Sequence, residues 1–207
     1  MLHRGPARIV PDGCIDLIWM DDELIVAGPD TGPHLTAGSP GDRYAGIRFE
    51  PGIGPRVLGV PAAELRDGRI PLAALWPSPE VRPMTDRIGA AADPAATLES
   101  LVICRSPDPP ADPLINAIAR RLRAGHSVAS ISSAAGLSER QLHRRSLTAF
   151  GYGPKTLARV LRMNRALTLA RRGIPQARVA AEAGYADQAH LAREVKALTG
   201  VPLSALS

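Results

Sequence analysis

The alternation of apolar and polar residues has a two-residue period early in the chain and a helical period later. Residues 14–20 and 24–27 are apolar segments separated by Asp21 and Asp22. Two apolar segments around a short polar turn predict a β-hairpin. Two more strands are predicted at 34–37 and 44–49. Residues 51–55 are rich in proline and glycine and should end the strand before them. A short helical turn that begins with a proline is predicted at 61–66.

From residue 80 onward the apolar positions recur at helical spacing. The predicted helices are 80–91, 95–103, 114–124, 127–135, 138–150, 155–172, 176–183 and 187–198. The fold class is therefore α+β, with a small β-rich N-terminal domain followed by an all-α domain.

A proline-rich segment at residues 106–113 has no apolar anchor and is the clearest linker in the sequence. The charge changes sign there. Residues 1–113 hold 10 arginines against 16 acidic residues, a net charge of −6, and residues 114–207 have a net charge of +11. The expected domains are 1–105 and 114–207. The basic balance predicts that the second one contacts a polyanion.

One sequence pattern occurs twice in the basic half. A short amphipathic helix is followed by an Ala-Gly turn and then by a second helix, with the turn glycines at Gly136 and Gly184. This is the arrangement of a helix-turn-helix, in which the second helix is presented to the major groove of DNA. Ser127 and Asp187 are the expected N-caps of 127–135 and 187–198. The joining helix 155–172 would be about 27 Å long, close to the ~34 Å between successive major grooves on one side of B-DNA.

The residues of this half closely resemble the DNA-binding domain of AraC/XylS transcriptional regulators. The strongest match is VAAEAGYADQAHLAREVK at 179–196 with LTGVP at 198–202, and GYGPK at 151–155 matches the start of the family's linker helix. The resemblance implies a sequence-specific transcriptional regulator that inserts helices 138–150 and 187–198 into successive major grooves of a double-stranded operator.

The resemblance also implies which residues bind DNA. By position in the two motifs these are Arg140, His143, Arg144, Gln188, Ala189 and Arg193, with His190 nearby. The expected DNA-binding set also includes the N-cap Ser127 and Arg162 of the linker helix. Arginine can bind guanine, glutamine can bind adenine, and alanine can contact a thymine methyl. His190 is expected to pack locally or contact a phosphate. Arg159, Arg162 and Arg165 are expected to divide between phosphate contacts and intramolecular pairs.

Helix 138–150 is expected to bury Leu142, Leu147 and Phe150 and to expose Arg140, His143 and Arg144. Ser146 departs from the family, because many members have a large apolar residue there. We expect looser packing at this position, or compensation by a neighbour such as Leu147.

The N-terminal half resembles a short domain of unsettled function that precedes this DNA-binding unit. The matching segments are PDGCIDLIW at 11–19, RFEPG at 48–52 and VPAAEL at 60–65. Such relatives are expected to have a further segment ahead of Pro11, so the sensor domain of this chain is expected to be abbreviated. Its acidic balance argues against direct contact with DNA.

Two other classes of function stay open at this point. In one, Cys14 is the nucleophile of a DNA-repair or other enzyme that has an accessory DNA-binding domain. No histidine lies close in sequence, however, and two cysteines provide no metal-ligand spacing. In the other, a degenerate helix-turn-helix binds protein. Our expectation is a regulator with no catalytic residues, no metal and no cofactor.

The sequence leaves several partners open. RNA polymerase, a small-molecule effector and a second copy forming a homodimer are all compatible with a transcriptional regulator of this kind. No apolar stretch approaches the length of a membrane span, and no signal region precedes the first strand. We therefore expect no membrane contact and a cytoplasmic location.

Overall fold

The computed structural model describes residues 7–36, 43–105 and 112–206. The N-terminal half contains an antiparallel four-stranded sheet in the order β5-β2-β3-β6 and a separate strand pair, β1 with β4. The strands are β1 (Ala7–Ile9), β2 (Ile15–Met20), β3 (Glu23–Ala27), β4 (His34–Thr36), β5 (Tyr44–Phe49) and β6 (Arg69–Pro71). The fold is the expected α+β, with a β-rich region ahead of a helical part.

The predicted hairpin is confirmed as β2 and β3. Met20 pairs with Glu23 across a two-residue turn. Asp21 and Asp22 both have positive φ, at 49° and 58°, which is the backbone that tight hairpins need to match the twist of their strands. Strands β1 and β6 were not predicted, because each is three residues long with an arginine among them and gives no alternating pattern.

The described part of the N-terminal half also contains the α-helices α1 (Gly54–Leu58), α2 (Ala62–Leu65), α3 (Ser78–Gly89) and α4 (Pro94–Arg105) and a short 3-10 helix at Leu72–Ala74. Helix α1 occupies part of the segment expected only to break a strand. The inner face of the sheet and these helices share one apolar core, which includes Leu17, Val26, Leu58 and Ile88.

The helical half consists of α5 (Pro113–Arg123), α6 (Val128–Ala134), α7 (Glu139–Phe150), α8 (Pro154–Arg171), α9 (Gln176–Ala183) and α10 (Gln188–Thr199). It has two apolar clusters, one around α5, α6 and α7 and the other around α9 and α10, with the long α8 contributing to both. Of the predicted linker, residues 106–111 lie outside the described residues. Asp112 caps α5 by accepting a hydrogen bond from the Leu114 amide at 2.9 Å.

Candidate nucleic-acid interface

The first helix-turn-helix is formed by α6 and α7. Ser127 caps α6 as expected, accepting a hydrogen bond from the Ser130 amide at 3.2 Å. Gly136 in the turn has a φ of 63°, a conformation that costs other residues more than glycine. Ser138 and Gln141 form a capping box at the start of α7, a pattern that the Ser-x-x-Gln spacing could have revealed. The turn and both helix starts are therefore fixed by local chemistry.

Helix α7 presents a polar face to solvent. Arg140, His143 and Arg144 are exposed as expected. The buried side differs from the prediction, because Leu147 is only half-buried while Ser146 and Ala149 are buried with Leu142 and Phe150. At 3.6 residues per turn, position 147 falls on the same side as 140 and 144. The assignment of Leu147 to the buried side was wrong for this geometric reason.

His143 is placed by a glycine. A Cβ atom added at Gly153 would lie 2.6 Å from the Cε1 atom of the His143 ring. The imidazole therefore occupies the space in which any larger residue at 153 would put its side chain. Gly153 therefore leaves room for the ring of His143, a role that the sequence analysis did not predict.

The second helix-turn-helix is formed by α9 and α10 around Gly184, whose φ is 84°. Asp187 caps α10 as expected and accepts a hydrogen bond from the His190 amide at 2.6 Å. Gln188, Ala189 and Arg193 are exposed. The side chain of Gln188 donates a hydrogen bond to Gln176 at 2.8 Å.

His190 is half-buried, and its ring meets the Tyr185 ring edge to face with centroids 5.2 Å apart. Its Nδ1 atom also lies 3.4 Å from the Ala186 amide nitrogen. Both contacts are local, within the turn that precedes α10.

An ion-pair network joins the linker helix α8 to α10. Arg159 donates to the Glu194 carboxylate at 2.9 Å, and Arg162 lies 3.6 Å from the same group. The hydrogen bond from Arg159 lowers the pKa of Glu194. The guanidinium of Arg162 also lies over the Tyr185 ring, 4.6 Å from its centroid. Arg162 therefore supports the second recognition helix from within the molecule.

The N-terminal half contacts the first helix-turn-helix. Arg66 donates to the Gly151 carbonyl at 3.3 Å, and Arg123 pairs with Glu50 at 2.8 Å. Gly151 ends α7 with a φ of 80°, and a Cβ atom there would lie 2.5 Å from Pro29. These contacts join α5 and the end of α7 to the sheet-bearing half.

The same half also contacts the linker helix and the second helix-turn-helix. Asn164 of α8 donates to the Pro11 carbonyl at 3.2 Å, and Arg8 donates to the Thr199 carbonyl at the end of α10 at 3.1 Å. Val10 packs against the apolar cluster of α9 and α10. The N-terminal half thus spans both DNA-binding units.

Cys14 lies half-buried beside this contact region, near Asp12 and Asp16. Burial raises the pKa of its thiol to about 12. The thiolate form that a nucleophile requires is therefore scarce at neutral pH. Among the described residues, no group of three histidine, cysteine, aspartate or glutamate side chains could hold a metal ion.

Two helix-turn-helix units on one connecting helix, each with exposed polar residues on its second helix, define a DNA-binding protein. A family model described as a helix-turn-helix domain matches residues 131–207, and one described as a domain of unknown function (DUF6597) matches residues 3–71. The C-terminal part is an AraC-type helix-turn-helix domain, and the protein is a DNA-binding transcriptional regulator of that type. The expected pairing with a short N-terminal domain is confirmed.

Solved structures of ToxT from Vibrio cholerae are similar to this chain. An apo form from strain SCE256 has 10% sequence identity and a TM-score of 0.51, and the match covers 99% of this chain and 95% of that one. A ToxT structure from strain O395 has 14% identity and a TM-score of 0.49, covering 98% and 97%. At such identities the likeness concerns the fold alone. No curated protein matches the chain, and no helix in the described ranges is long and apolar enough to cross a membrane.

Proposed function

We propose that α7 and α10 enter successive major grooves of one operator. The main support is that both helices expose their polar contact residues and that α8, with 18 residues, joins the two helix-turn-helix units. A helix of that length measures about 27 Å, against a groove repeat of about 34 Å. A single chain can therefore span two groove segments without a second copy.

The first recognition helix contacts bases through Arg140, His143 and Arg144. The second uses Gln188, Ala189 and Arg193. An arginine can make a bidentate contact with guanine, a glutamine with adenine, and an alanine can touch a thymine methyl. In this proposal the hydrogen bond between Gln188 and Gln176 orients the amide before DNA arrives.

Loss of specificity in one half-site tests this assignment. Arg144→Ala and Arg193→Ala should each lose base preference in a different half of the operator, with a cost of about 1–3 kcal/mol per contact. Arg82 is an exposed arginine of α3. Arg82→Ala is therefore the control and should bind like the wild type. A competition gel shift with half-site mutants measures the preference. Unchanged operator preference in Arg144→Ala would show that the first contact helix has been misassigned.

Ser127 and Arg162 complete the proposed DNA-binding set, with Arg162 as a phosphate contact. Arg162→Ala should weaken binding to all sequences alike, because phosphate contacts carry no direct base information. Arg162 also lies near Glu194. The free energy of unfolding is therefore measured with the affinity, and a loss of preference confined to one half-site would contradict a phosphate role.

The N-terminal half is proposed to regulate DNA binding by taking a small-molecule effector or by pairing two chains. The protein is proposed to act in the cytoplasm, with RNA polymerase as a further partner, and to catalyse no reaction. Light scattering on the full chain and fragment 1–105 tests pairing. If both are monomeric and operator affinity is the same without residues 1–105, this regulatory role is wrong.

A further inference from the structure

A groove of about 350 Å³ lies where the N-terminal half meets the first recognition helix. Its two sides come from different halves of the chain. Arg56, in the last turn of α1, lines one side, and Arg144, Arg145 and Thr148 of α7 line the other. Three guanidinium-bearing side chains thus border a single opening.

The position of Arg145 and Thr148 on α7 relates this groove to DNA. Successive residues of a helix are about 100° apart, so both residues lie on the flank between the Arg140–Arg144 side and the buried side. When the first side faces the bases of a major groove, this flank faces the sugar-phosphate backbone that borders it. The groove therefore opens where a phosphate of the bound duplex would lie.

The charge in the groove also favours an anion. Its one acidic lining residue among those described is Asp112, and that carboxylate already accepts the hydrogen bond that caps α5. No acidic side chain in the described part of the chain forms an ion pair with Arg144 or Arg145. The like charges of Arg144 and Arg145 repel each other, and a phosphate in the groove would attract both.

The segment just ahead of α1 packs tightly against α5 and the end of α7. Next to α1, Gly52 packs so closely that a Cβ atom would lie 2.6 Å from Ile115 and 3.2 Å from the Phe150 ring. The ion pair between Glu50 and Arg123 lies in the same region. The backbone next to Arg56 is therefore held in place beside the groove.

We propose that this groove binds a backbone phosphate of the operator, so that Arg56 brings the N-terminal half into direct contact with DNA. This proposal rests on the proposed function of α7 as a recognition helix. It revises the expectation that an acidic N-terminal half stays away from DNA. Net charge describes the whole half, whereas Arg56 acts at one point on its surface.

The test uses the full chain and two duplexes: one selected by the wild-type chain from a random library, and one unselected duplex of equal length. Dissociation constants are measured from about 50 to 200 mM salt. Removing one phosphate contact should lower the steepness of log K against log salt by about 0.9, or roughly a 3.5-fold change over this range. Arg56→Gln and Arg145→Gln should each show this reduction on both duplexes.

Two further variants make the result specific. Arg56→Lys keeps the charge and should keep the wild-type salt slope, because a phosphate accepts a point charge as well as a planar one. Arg82→Gln removes an exposed arginine of α3 and should change nothing. Circular dichroism confirms that each variant is folded.

The outcomes separate this proposal from the proposed function. Selective, salt-dependent binding by the wild type with an unchanged slope in Arg56→Gln would overturn the proposal and leave the proposed function standing. If the salt slope is the same in the wild type and in Arg56→Gln, and Arg56→Gln binds a small organic acid more weakly, the groove belongs to an effector. That result would also overturn the proposed phosphate contact. Absence of salt-dependent binding by the wild type would refute the proposed function itself.

Discussion

The hydroxyl of Ser146 is fully buried in α7 and has no hydrogen-bond partner among the described residues. A buried polar group without a partner loses its hydration and gains nothing in return. By contrast, the buried hydroxyl of Ser132 donates to the Leu137 carbonyl in the first turn. The two buried serines therefore differ in whether the hydroxyl has a hydrogen-bond partner, and alanine substitutions can measure the effect of that difference on stability.

Ser146→Ala should raise the free energy of unfolding by about 1 kcal/mol, because the uncompensated hydroxyl is removed. Ser132→Ala is the matched control and should lower it by a similar amount, because this variant cannot form the hydrogen bond to Leu137. Urea unfolding followed by circular dichroism measures both. Equal destabilisation by the two variants would mean that the Ser146 hydroxyl is satisfied.

Gly153→Ala should shift base preference while costing about 1 kcal/mol or less of stability. The new methyl group would occupy the space of the His143 ring, and the ring, at the end of an exposed side chain, would move. A binding-site selection compares the variant with the wild type. Gly32→Ala, where a Cβ atom meets nothing within 4 Å, is the control, and an unchanged site from Gly153→Ala would remove His143 from the base contacts.

At the scale of elements, Glu194 decides how firmly α10 is held against α8. The hydrogen bond from Arg159 holds the pKa of this carboxyl below its ordinary value in the folded state. A carboxylate with a lowered pKa stabilises the fold above its unfolded pKa, and this stabilisation disappears as the pH falls through the folded value. The network is therefore complete at neutral pH and weakens in acid.

Glu194→Gln should lower the free energy of unfolding at pH 7 by about 1 kcal/mol, and the gap to the wild type should narrow as the pH falls to about 4 and below. Urea unfolding at several pH values measures the gap. Glu99 of α4 is exposed, so Glu99→Gln is the control and should show no such gap. A gap that stays constant from neutral to strongly acidic pH would rule out the charge of Glu194 as its cause.

The helices of the DNA-binding half could be predicted within one or two residues because their ends are set by local chemistry. Ser127 and Asp187 cap the helices at which they were expected, and Gly136 and Gly184 have the positive φ that the turns require. The buried side of α7 was harder to predict. Ser146 is polar yet buried. Its residue type indicates an exposed position, whereas helix geometry and the apolar residue that many family members have there both indicate a buried one.

At the scale of the whole molecule, the contacts between the two halves could not be predicted. Arg8, Arg66 and Asn164 each donate to a main-chain carbonyl of the opposite half. Every residue has such a carbonyl, so the acceptor leaves no trace in the amino-acid sequence. The sequence therefore predicts two domains with a linker, and it gives no sign that one half spans both DNA-binding units.

Removal of the N-terminal half should leave a folded but less selective DNA-binding fragment. Residues 114–207 have two apolar clusters of their own, so the fragment should be helical by circular dichroism. Without the contacts of Arg8 and Asn164, the two recognition helices should tolerate a base pair inserted between half-sites better than the full chain does. An unfolded fragment would refute the first claim. Equal sensitivity to spacing would refute the second.

The hydrogen bond between Arg8 and Thr199 joins residues 191 positions apart, and the ribosome makes its two partners at very different times. At about 5–20 residues per second, roughly 10–40 seconds separate the appearance of the donor from that of its acceptor. During that time β1 has only its three-residue pairing with β4, and Val10 lacks the apolar cluster of α9 and α10 against which it packs; transiently exposed apolar surface of this kind is prone to aggregate. The nascent chain thus passes through an exposed stage that ends only when the last recognition helix has left the ribosome.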